Sequence, residues 1–302
     1  MSSPITKVAL VGATGNLGPS ILKSLLASNF SVTVLTRPQS TSTASIPKAV
    51  TIKEVDYDSI PSLTAALEGQ QAVISTLGAL ALTKQLNLIE AAKSVGTVQK
   101  FIPSEFGSDT TNPTVAAFPA YASTKVVVQK ALKDSGLNWS LIFNGPFLDW
   151  ALKVGWVLDG ENKKIVLYDG GEREFSATTL EDVGKAVVGV LNHPEETRNR
   201  SVYVNSAKVT LKGLLEKAKK VTGTKDEDWE VKEKKVDDLL SEAWAELKGE
   251  NPNPRSWILK FITASVYGAE NGGRFEKVDN ELLGVKVLSD DEVEALVGSI
   301  LV

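Results

Sequence analysis

The sequence contains no cysteine and only one histidine among its 302 residues. Without cysteine the chain can form neither a disulfide nor a thiolate metal site, and catalysis by a thiol is excluded. His193 lies in a polar loop between Asn192 and Glu196, so a histidine-based triad or metal cluster is implausible. We therefore expect a protein without a metal, in which His193 is a solvated loop residue.

The chain also lacks a strong excess of either charge and has no long apolar run. Its 33 lysine and arginine residues oppose 37 aspartate and glutamate residues, a formal net charge of -4, which gives no electrostatic footprint for nucleic acid or an anionic membrane. No apolar run approaches membrane-spanning length, and Met1 to Pro4 lack the features of a signal peptide. These absences predict a cytoplasmic protein that acts on a small molecule, and they leave open whether it forms a homodimer.

What the chain does contain is a glycine-rich turn near its amino end. The stretch Val8 to Leu17, followed by Gly18, has the pattern of an apolar strand that ends in a turn and opens a helix. Gly12, Gly15 and Gly18 suit this turn, because it needs positive φ, close approach of the backbone to phosphate oxygens and close packing of helix on strand. The helix N-terminus then offers free N–H groups to an anion. The context predicts a dinucleotide pyrophosphate site; the alternative is a glycine turn without a ligand.

Strand and helix patterns alternate through the first half of the chain, which predicts an α/β fold with a Rossmann-type doubly wound parallel sheet. A serine- and threonine-rich segment, Gln39 to Ser45, is predicted as a mobile surface loop. The predicted strands are Ile5 to Val11, Ser31 to Leu35, Val50 to Val55, Ala72 to Thr76, Lys100 to Pro103 and Trp139 to Phe143, and the predicted helices include Ile60 to Leu67, Leu86 to Val95 and Tyr121 to Ser135.

Beyond Phe147 the regular alternation breaks down. We expect residues 1–146 to form the dinucleotide-binding domain and residues 147–302 to form a smaller C-terminal α/β substrate domain, with elements in 180–205 returning to the Rossmann sheet. The charged segment Lys225 to Glu250, with Trp229 and Trp244, is predicted as an exposed amphipathic segment. Short strands are predicted at Ile165 to Tyr168 and Ser201 to Val204, and helices at Leu180 to Leu191 and Leu211 to Val221.

Arg37 follows the second predicted strand, where NAD-binding folds usually present an acid to the ribose hydroxyls. A carboxylate would repel a 2′-phosphate, whereas a guanidinium can bind it through two hydrogen bonds. The position therefore favours NADPH or NADP+ over NADH as the cofactor. The alternative is that Arg37 is a solvated residue at the end of a strand.

Tyr121 and Lys125 have the four-residue spacing of a tyrosine–lysine reductase pair on one face of a helix. A nearby lysine cation lowers the pKa of a phenol from about 10 toward neutrality, which makes it a usable proton donor to a carbonyl that receives hydride. Lysine can also hold the nicotinamide ribose. Ser104 ends the fifth predicted strand at the sheet edge where ligands bind, although an ordinary strand-end turn explains it equally well. We predict Lys125, Tyr121 and Ser104 as catalytic residues.

Together these motifs resemble the NmrA-like and isoflavone-reductase-like branch of the atypical short-chain dehydrogenases/reductases. Plant members of that branch include phenylcoumaran benzylic ether, pinoresinol-lariciresinol and isoflavone reductases. The resemblance rests on Val11 to Gly18, Ile74 to Gly78, Gln85, Phe101 to Gly107 and Lys125. It covers the N-terminal half of the chain well and the second half only loosely.

The resemblance implies a set of cofactor contacts. Lys125 matches the central lysine of the family, but the residue four positions earlier is generally not tyrosine in the plant reductases, so the proton donor is either Tyr121 or Lys125. The implied contacts are Gly12, Thr14, Gly15, Asn16, Leu17 and Gly18 to the pyrophosphate, Arg37 to the 2′-phosphate, Leu77 and Gly78 beside the adenosine and ribose, and Pro146 and Phe147 to the nicotinamide.

We therefore predict an NADPH-dependent reductase that transfers hydride to a small aromatic or polyketide-like substrate of carbonyl, enone or benzylic ether type. Phe147, Trp150 and Trp257 are candidate apolar walls for that substrate, although ordinary packing explains each of them more readily. Two alternatives stay open. One is a redox-sensing regulator that binds NADP without turnover, and the other is a quinone reductase without dedicated acid catalysis.

Overall fold

The computed structural model describes residues 4–302, apart from the side chains of residues 41 and 42. The expectation of a missing signal peptide depends partly on residues 1–3, which lie outside the described residues. Within the described range, no helix combines the length and the apolar composition that crossing a membrane would require. The strands are β1 Lys7–Val11, β2 Ser31–Thr36, β3 Thr51–Glu54, β4 Ala72–Ser75, β5 Lys100–Ile102, β6 Ser140–Phe143, β7 Lys164–Tyr168, β8 Phe175–Ala177, β9 Arg200–Tyr203, β10 Ala207–Val209 and β11 Glu230–Lys234.

The helices surround these strands, and short 3-10 turns occur at Thr41–Ser45, Ala79–Lys84 and Asp226–Asp228. The helices are α1 Gly18–Ala27, α2 Ile60–Leu67, α3 Gln85–Val95, α4 Pro113–Ala116, α5 Pro119–Ala122, α6 Lys125–Ser135, α7 Leu148–Lys153, α8 Leu180–Asn192, α9 Leu211–Thr222, α10 Val236–Leu247, α11 Pro254–Tyr267, α12 Asn280–Leu283 and α13 Asp290–Leu301.

The central sheet contains five parallel strands in the order β3, β2, β1, β4, β5. A parallel bridge between Phe101 and Trp139 continues the sheet to β6, and β6 pairs in parallel with β9. The strand order reverses between β1 and β4, because the chain runs outward from β1 through β2 and β3 and then returns to β4 on the other side. At such a reversal a crevice for ligands opens at the carboxyl ends of the strands. The predicted doubly wound α/β sheet is confirmed.

Both faces of the sheet are covered by helices. Val8 and Leu10 of β1 pack in one cluster with α1 and α8, whereas Ala9 and Val11 pack in another with α2, α3 and α6. Because successive side chains of a strand point to opposite faces, a strand covered on both sides is apolar at every position. This arrangement explains why β1 appears in the sequence as a continuous apolar run.

The remaining elements form a second layer, which we call the C-terminal layer. In it β7 pairs in parallel with β11 and β8 pairs antiparallel with β10, and α7, α9, α10, α11 and α13 share one apolar core with β7, β8 and β10. By contrast, α8 packs on the sheet and β9 extends it. The division into a domain of residues 1–146 and one of residues 147–302 stays a prediction.

The predicted single helix from Tyr121 to Ser135 is wrong, because α5 and α6 are separated by a short break. Thr124 in this break has a non-helical backbone (φ -129°, ψ -90°), and its hydroxyl donates to the carbonyl of Ala120 at 2.8 Å. Hydroxyl side chains that bond to the preceding turn compete with continuation of a helix. Tyr121 and Lys125 therefore lie on two helices rather than on one face of a single helix.

Two other segments also differ from expectation. The prediction of an exposed amphipathic segment from Lys225 to Glu250 is wrong in part: β11 and α10 form there, and Trp229 is buried, with its indole N–H donating to Thr224 Oγ1 at 2.8 Å. Trp244 remains 40% exposed. The segment Gln39 to Ser45, predicted as a loop, contains the first 3-10 turn.

Candidate active site

The glycine-rich turn joins β1 to α1 where the strand order reverses. Gly12 has a left-handed backbone (φ +81°), and a Cβ there would lie 2.6 Å from Thr76 Oγ1. The Thr76 hydroxyl lies within hydrogen-bond distance of the carbonyl oxygens of Val11 (2.8 Å) and Gly12 (3.0 Å). A Cβ on Gly18 would overlap the Gly12 carbonyl oxygen. Packing within the protein itself therefore requires these two glycines, whereas a Cβ on Gly15 would meet that oxygen only at 3.4 Å.

A cavity of about 540 Å³ lies between the carboxyl edge of the sheet and the C-terminal layer, a size that suits a small-molecule ligand. Residues that follow β1, β4, β5 and β6 meet in it. We call its two sides the sheet-side wall and the helix-side wall. The sheet-side wall consists of Gly15 to Leu17 in the glycine-rich turn, Thr76 to Gly78 after β4, Ser104 to Ser108 after β5, Tyr121, Lys125 and Gly145 to Phe147 after β6. The helix-side wall consists of Trp150, Trp156, Ile258, Leu259, Ile262 and Val266.

Some of the predicted site residues lie outside this cavity lining. Arg37 is exposed just after β2, and its charge acts on the nearby hydroxyl of Tyr57. Gly12, Thr14 and Gly18 belong to the glycine-rich turn but do not line the cavity.

Trp257, predicted as a substrate wall, also lies outside the lining. Its ring packs edge-on against Phe261, with ring centroids 6.2 Å apart. Trp257 is therefore a packing residue of α11.

Trp156 is a cavity residue that the sequence did not predict. It follows α7, and its indole N–H donates to Thr263 Oγ1 at 3.1 Å, which fixes the ring against α11. Trp150, which was predicted, lines the same wall. The signal available in the sequence is the clustering of aromatic residues after β6, because no periodic pattern marks this part of the chain.

Ser104 connects the turns that follow β4 and β5. Its hydroxyl donates to the Leu77 carbonyl at 2.8 Å, and its backbone N–H donates to Gln85 Oε1 at 2.8 Å. Gln85 is buried, and its amide also donates to the Leu82 carbonyl at 3.0 Å. The hydroxyl proton of Ser104 therefore takes part in a hydrogen bond to the protein backbone.

Lys125 lies at the start of α6 with its side chain only 12% exposed. Its Nζ donates to the backbone carbonyl of Glu105 and lies 3.9 Å from Oε2 of the same residue. Burial lowers the pKa of Lys125 below its ordinary value, and the charge of Glu105 acts in the opposite direction. The amine of Lys125 is therefore largely desolvated at the cavity wall.

Tyr121 is buried, and its hydroxyl lies 3.1 Å from Ser265 Oγ. Burial raises the pKa of Tyr121 to about 12, even though hydrogen bonds from Ser265 and Ser108 act to lower it. The prediction that Lys125 brings this pKa toward neutrality is wrong. Desolvation of the phenol is the largest influence on this pKa, and Nζ of Lys125 lies over the face of the ring, 5.4 Å from its centroid.

The order of the parallel strands, with a glycine-rich turn at the reversal point, defines a Rossmann-type nucleotide-binding fold. The model of the NmrA-like family matches residues 4–247, and the chain belongs to this family. It is 35% identical to the oxidoreductase aprR of Aspergillus flavus over 299 positions, which cover 96% of this chain and 97% of that protein. It is 33% identical to the oxidoreductase poxI of Penicillium oxalicum over 306 positions, which cover 96% of this chain and 93% of that protein.

Solved structures show the same fold. The binary complex of leucoanthocyanidin reductase and NADPH from Vitis vinifera matches with a TM-score of 0.77 at 23% identity, over 98% of this chain and 99% of that one. The predicted fold and family are therefore confirmed, and the protein is an oxidoreductase of the NmrA-like family.

Proposed function

We propose that the protein is an NADPH-dependent reductase that transfers hydride to a small aromatic or polyketide-like substrate and uses Lys125 as the proton donor. The position of Lys125 carries this proposal. Its largely buried ammonium lies in a cavity wall that also contains the glycine-rich turn, and apolar side chains face it from the helix-side wall. A fixed, desolvated cation at such a place stabilises negative charge that develops on a reacting oxygen.

The residues at the sheet edge fit a dinucleotide with a 2′-phosphate. Gly15 and Leu17 line the cavity at the start of α1, and the side chain of Leu17, the N-cap residue, makes no capping hydrogen bond. Its amide groups therefore suit a pyrophosphate. The exposed guanidinium of Arg37 follows β2, where this fold meets the adenosine ribose, and suits the 2′-phosphate. The NADPH complex of leucoanthocyanidin reductase, which shares the fold, supports this assignment.

NADPH, when bound, supplies the hydride. Under this proposal, Leu77 and Gly78 lie beside the adenosine and ribose, and Pro146 and Phe147 contact the nicotinamide. Lys125 also holds the nicotinamide ribose. Together with Lys125, these residues would hold the cofactor at the sheet-side wall of the cavity.

Lys125 rather than Tyr121 is the proton donor in this proposal. A phenol whose pKa is raised to about 12 gives up its proton less readily than an ammonium whose pKa is lowered. Ser104 positions the Leu77 turn, because its hydroxyl proton already serves the Leu77 carbonyl. Lys125 therefore gives a proton from Nζ to the substrate and regains one from solvent.

The helix-side wall defines the class of substrate. Trp150, Trp156 and Ile258 line it, and of the two indole N–H groups there, that of Trp156 is already bonded to Thr263. Such a wall excludes water and offers flat apolar contact area. It suits a small aromatic or polyketide-like molecule that presents a carbonyl, enone or benzylic ether to Lys125.

A substrate panel tests the proposal. Oxidation of NADPH and of NADH is followed with carbonyl compounds, enones, benzylic ethers and quinones, while the affinity for NADPH is measured separately by calorimetry. We expect turnover with a member of the first three classes and a preference for NADPH. Tight NADPH binding without turnover across the panel would support the redox-sensing alternative, and turnover of quinones alone would support the quinone reductase.

A further inference from the structure

The turn after β5 wraps around the ammonium of Lys125. Phe106 in this turn has a positive φ of +25°, a backbone conformation that costs free energy in a bulky residue and persists only where the surrounding structure enforces it. The turn is held from the neighbouring strand end, because the backbone N–H groups of Asn144 and Gly145 both donate to the Gly107 carbonyl, at 3.1 and 3.0 Å. This enforced turn directs both the backbone carbonyl and the carboxylate of Glu105 toward Lys125.

The carboxylate of Glu105 is itself buried, with the residue only 2% exposed. Its Oε1 accepts from Gln129 Nε2 at 3.0 Å, and its Oε2 accepts from Thr110 Oγ1 at 2.7 Å. Gln129 Nε2 also donates to Thr110 Oγ1 at 2.7 Å. Because Thr110 Oγ1 accepts this bond, its own proton can be donated to Glu105. Burial raises the pKa of Glu105 above its ordinary value, whereas the charge of Lys125 and the two bonds that the carboxyl group receives favour its ionised form.

Few charged groups act on this pair among the described residues. Glu105 is the charged group that acts on Lys125, and Asp109 acts on Glu105 in turn. The uncharged ring of Tyr121 faces Lys125 from α5, and the uncharged hydroxyl of Ser265 reaches Tyr121 from α11. The charge state of Lys125 therefore depends mainly on one buried carboxylate.

On the basis of the proposed function, we propose that Glu105 is a positioning residue that keeps Lys125 in its ammonium form and fixes Nζ at the cavity wall. Glu105 acts through Lys125 rather than on the substrate. In each turnover one proton leaves Nζ for the substrate atom that receives it, and one proton from solvent reloads the amine. The fixed carboxylate favours the reloaded state, since it stabilises the cation and not the neutral amine.

The test is the isosteric variant Glu105→Gln, read out without substrate or cofactor. In protein labelled with 13C-lysine, the Cε resonance of Lys125 reports its titration, and Lys125→Met assigns that resonance. An opposite charge at this distance shifts a titration midpoint by about 1 to 3 pH units. Because Glu105 favours the charged form of Lys125, its neutralisation should lower the midpoint by that amount. With a substrate in hand, the fall in kcat at high pH should move to lower pH by the same amount.

Three further variants sharpen this test. Glu105→Asp keeps the charge and should return the midpoint toward the wild-type value. Val128→Ala loosens the apolar packing of α6, the helix that carries Lys125, because Val128 is buried. It should leave the titration midpoint of Lys125 unchanged. If Glu105→Gln fails to fold, Gln129→Met removes one donor to the carboxylate and should lower the midpoint in the same direction by a smaller amount.

The outcomes separate the two proposals. An unmoved Lys125 midpoint in Glu105→Gln, with kcat reduced equally at every pH, would overturn the positioning role and leave Glu105 a structural residue. If no substrate of the panel turns over, the proposed function fails, but the resonance of Lys125 still decides whether Glu105 sets its charge.

Discussion

The sheet-side wall and the helix-side wall of the cavity differ in chemistry. On the sheet side, the polar groups are tied to one another: Ser104 bonds to Leu77, and Lys125 bonds to Glu105. The helix-side wall is largely apolar, and the indole N–H of Trp156 within it donates to Thr263. The strand ends thus supply fixed charges and hydrogen bonds, whereas the helices supply shape.

This difference teaches where each kinetic effect should arise. Changes on the sheet side should alter the chemical step or the affinity for the cofactor, because the charged groups lie there. Changes on the helix side should alter KM for the substrate and leave the affinity for the cofactor unchanged. Substitutions on the two sides can therefore break or sharpen the comparison.

The largest effect is expected for Lys125→Met, which removes the cation and keeps a long apolar side chain. Loss of a positioned proton donor should lower kcat by about 10²- to 10⁴-fold. Steady-state turnover at saturating NADPH measures it. The matched control is Lys130→Met, the same change at an exposed residue of the same helix that pairs with Asp134, and it should keep wild-type turnover. Full turnover by Lys125→Met would contradict the proposal that Lys125 is the proton donor.

A smaller effect is expected for Arg37→Ala. Loss of a charged hydrogen-bonded contact should weaken NADPH binding by about 1.5 to 3 kcal/mol. NADH has no 2′-phosphate, so its affinity should change little, and calorimetry with both cofactors gives the comparison. Arg198→Ala is the control, because this exposed arginine pairs with Glu195 on a different part of the surface. An unchanged NADPH affinity in Arg37→Ala would rule out the assignment of the 2′-phosphate.

The smallest effect is expected on the helix-side wall. Trp156→Ala should raise KM for the substrate about tenfold, equivalent to about 1.4 kcal/mol, with kcat and the affinity for NADPH nearly unchanged. Trp257→Ala is the matched control, because Trp257 packs on Phe261 and does not line the cavity. This variant should lower the unfolding temperature and leave KM for the substrate unchanged. The helix side would lose its assigned role if Trp156→Ala changed kcat rather than KM.

Strands such as β1 and β4 could be predicted because both of their faces are buried, which leaves apolar runs in the sequence, whereas the edge strand β3 is largely exposed. β11 could not be predicted in this way. It has the sequence Glu-Val-Lys-Glu-Lys and is largely exposed, so only its pairing with β7 reveals it. The break between α5 and α6 was hidden for a different reason, since Thr124 ends the helical pattern through one side-chain bond to Ala120.

The candidate site was also predictable only in part. Gly12 stands at a strand end that the sequence marks, whereas Lys125 was predicted from its spacing and its place after the fifth strand, without the helix start at which it lies. The raised pKa of Tyr121 and the contact of Glu105 with Lys125 depend on burial and on residues that are distant in sequence, such as Ser265. Spacing along a helix carries no information about burial, and for this reason the four-residue spacing led to the wrong pKa.

The contact between Gly12 and Thr76 has a practical consequence for the choice of a binding-deficient variant. Any side chain at position 12 would press on Thr76 at the junction of β1 and β4, so a Gly12 substitution would confuse loss of ligand with damage to the scaffold. Gly15 has no such neighbour and Arg37 is exposed. If the proposed cofactor contacts hold, substitutions at these two positions would weaken nucleotide binding while the sheet stays intact.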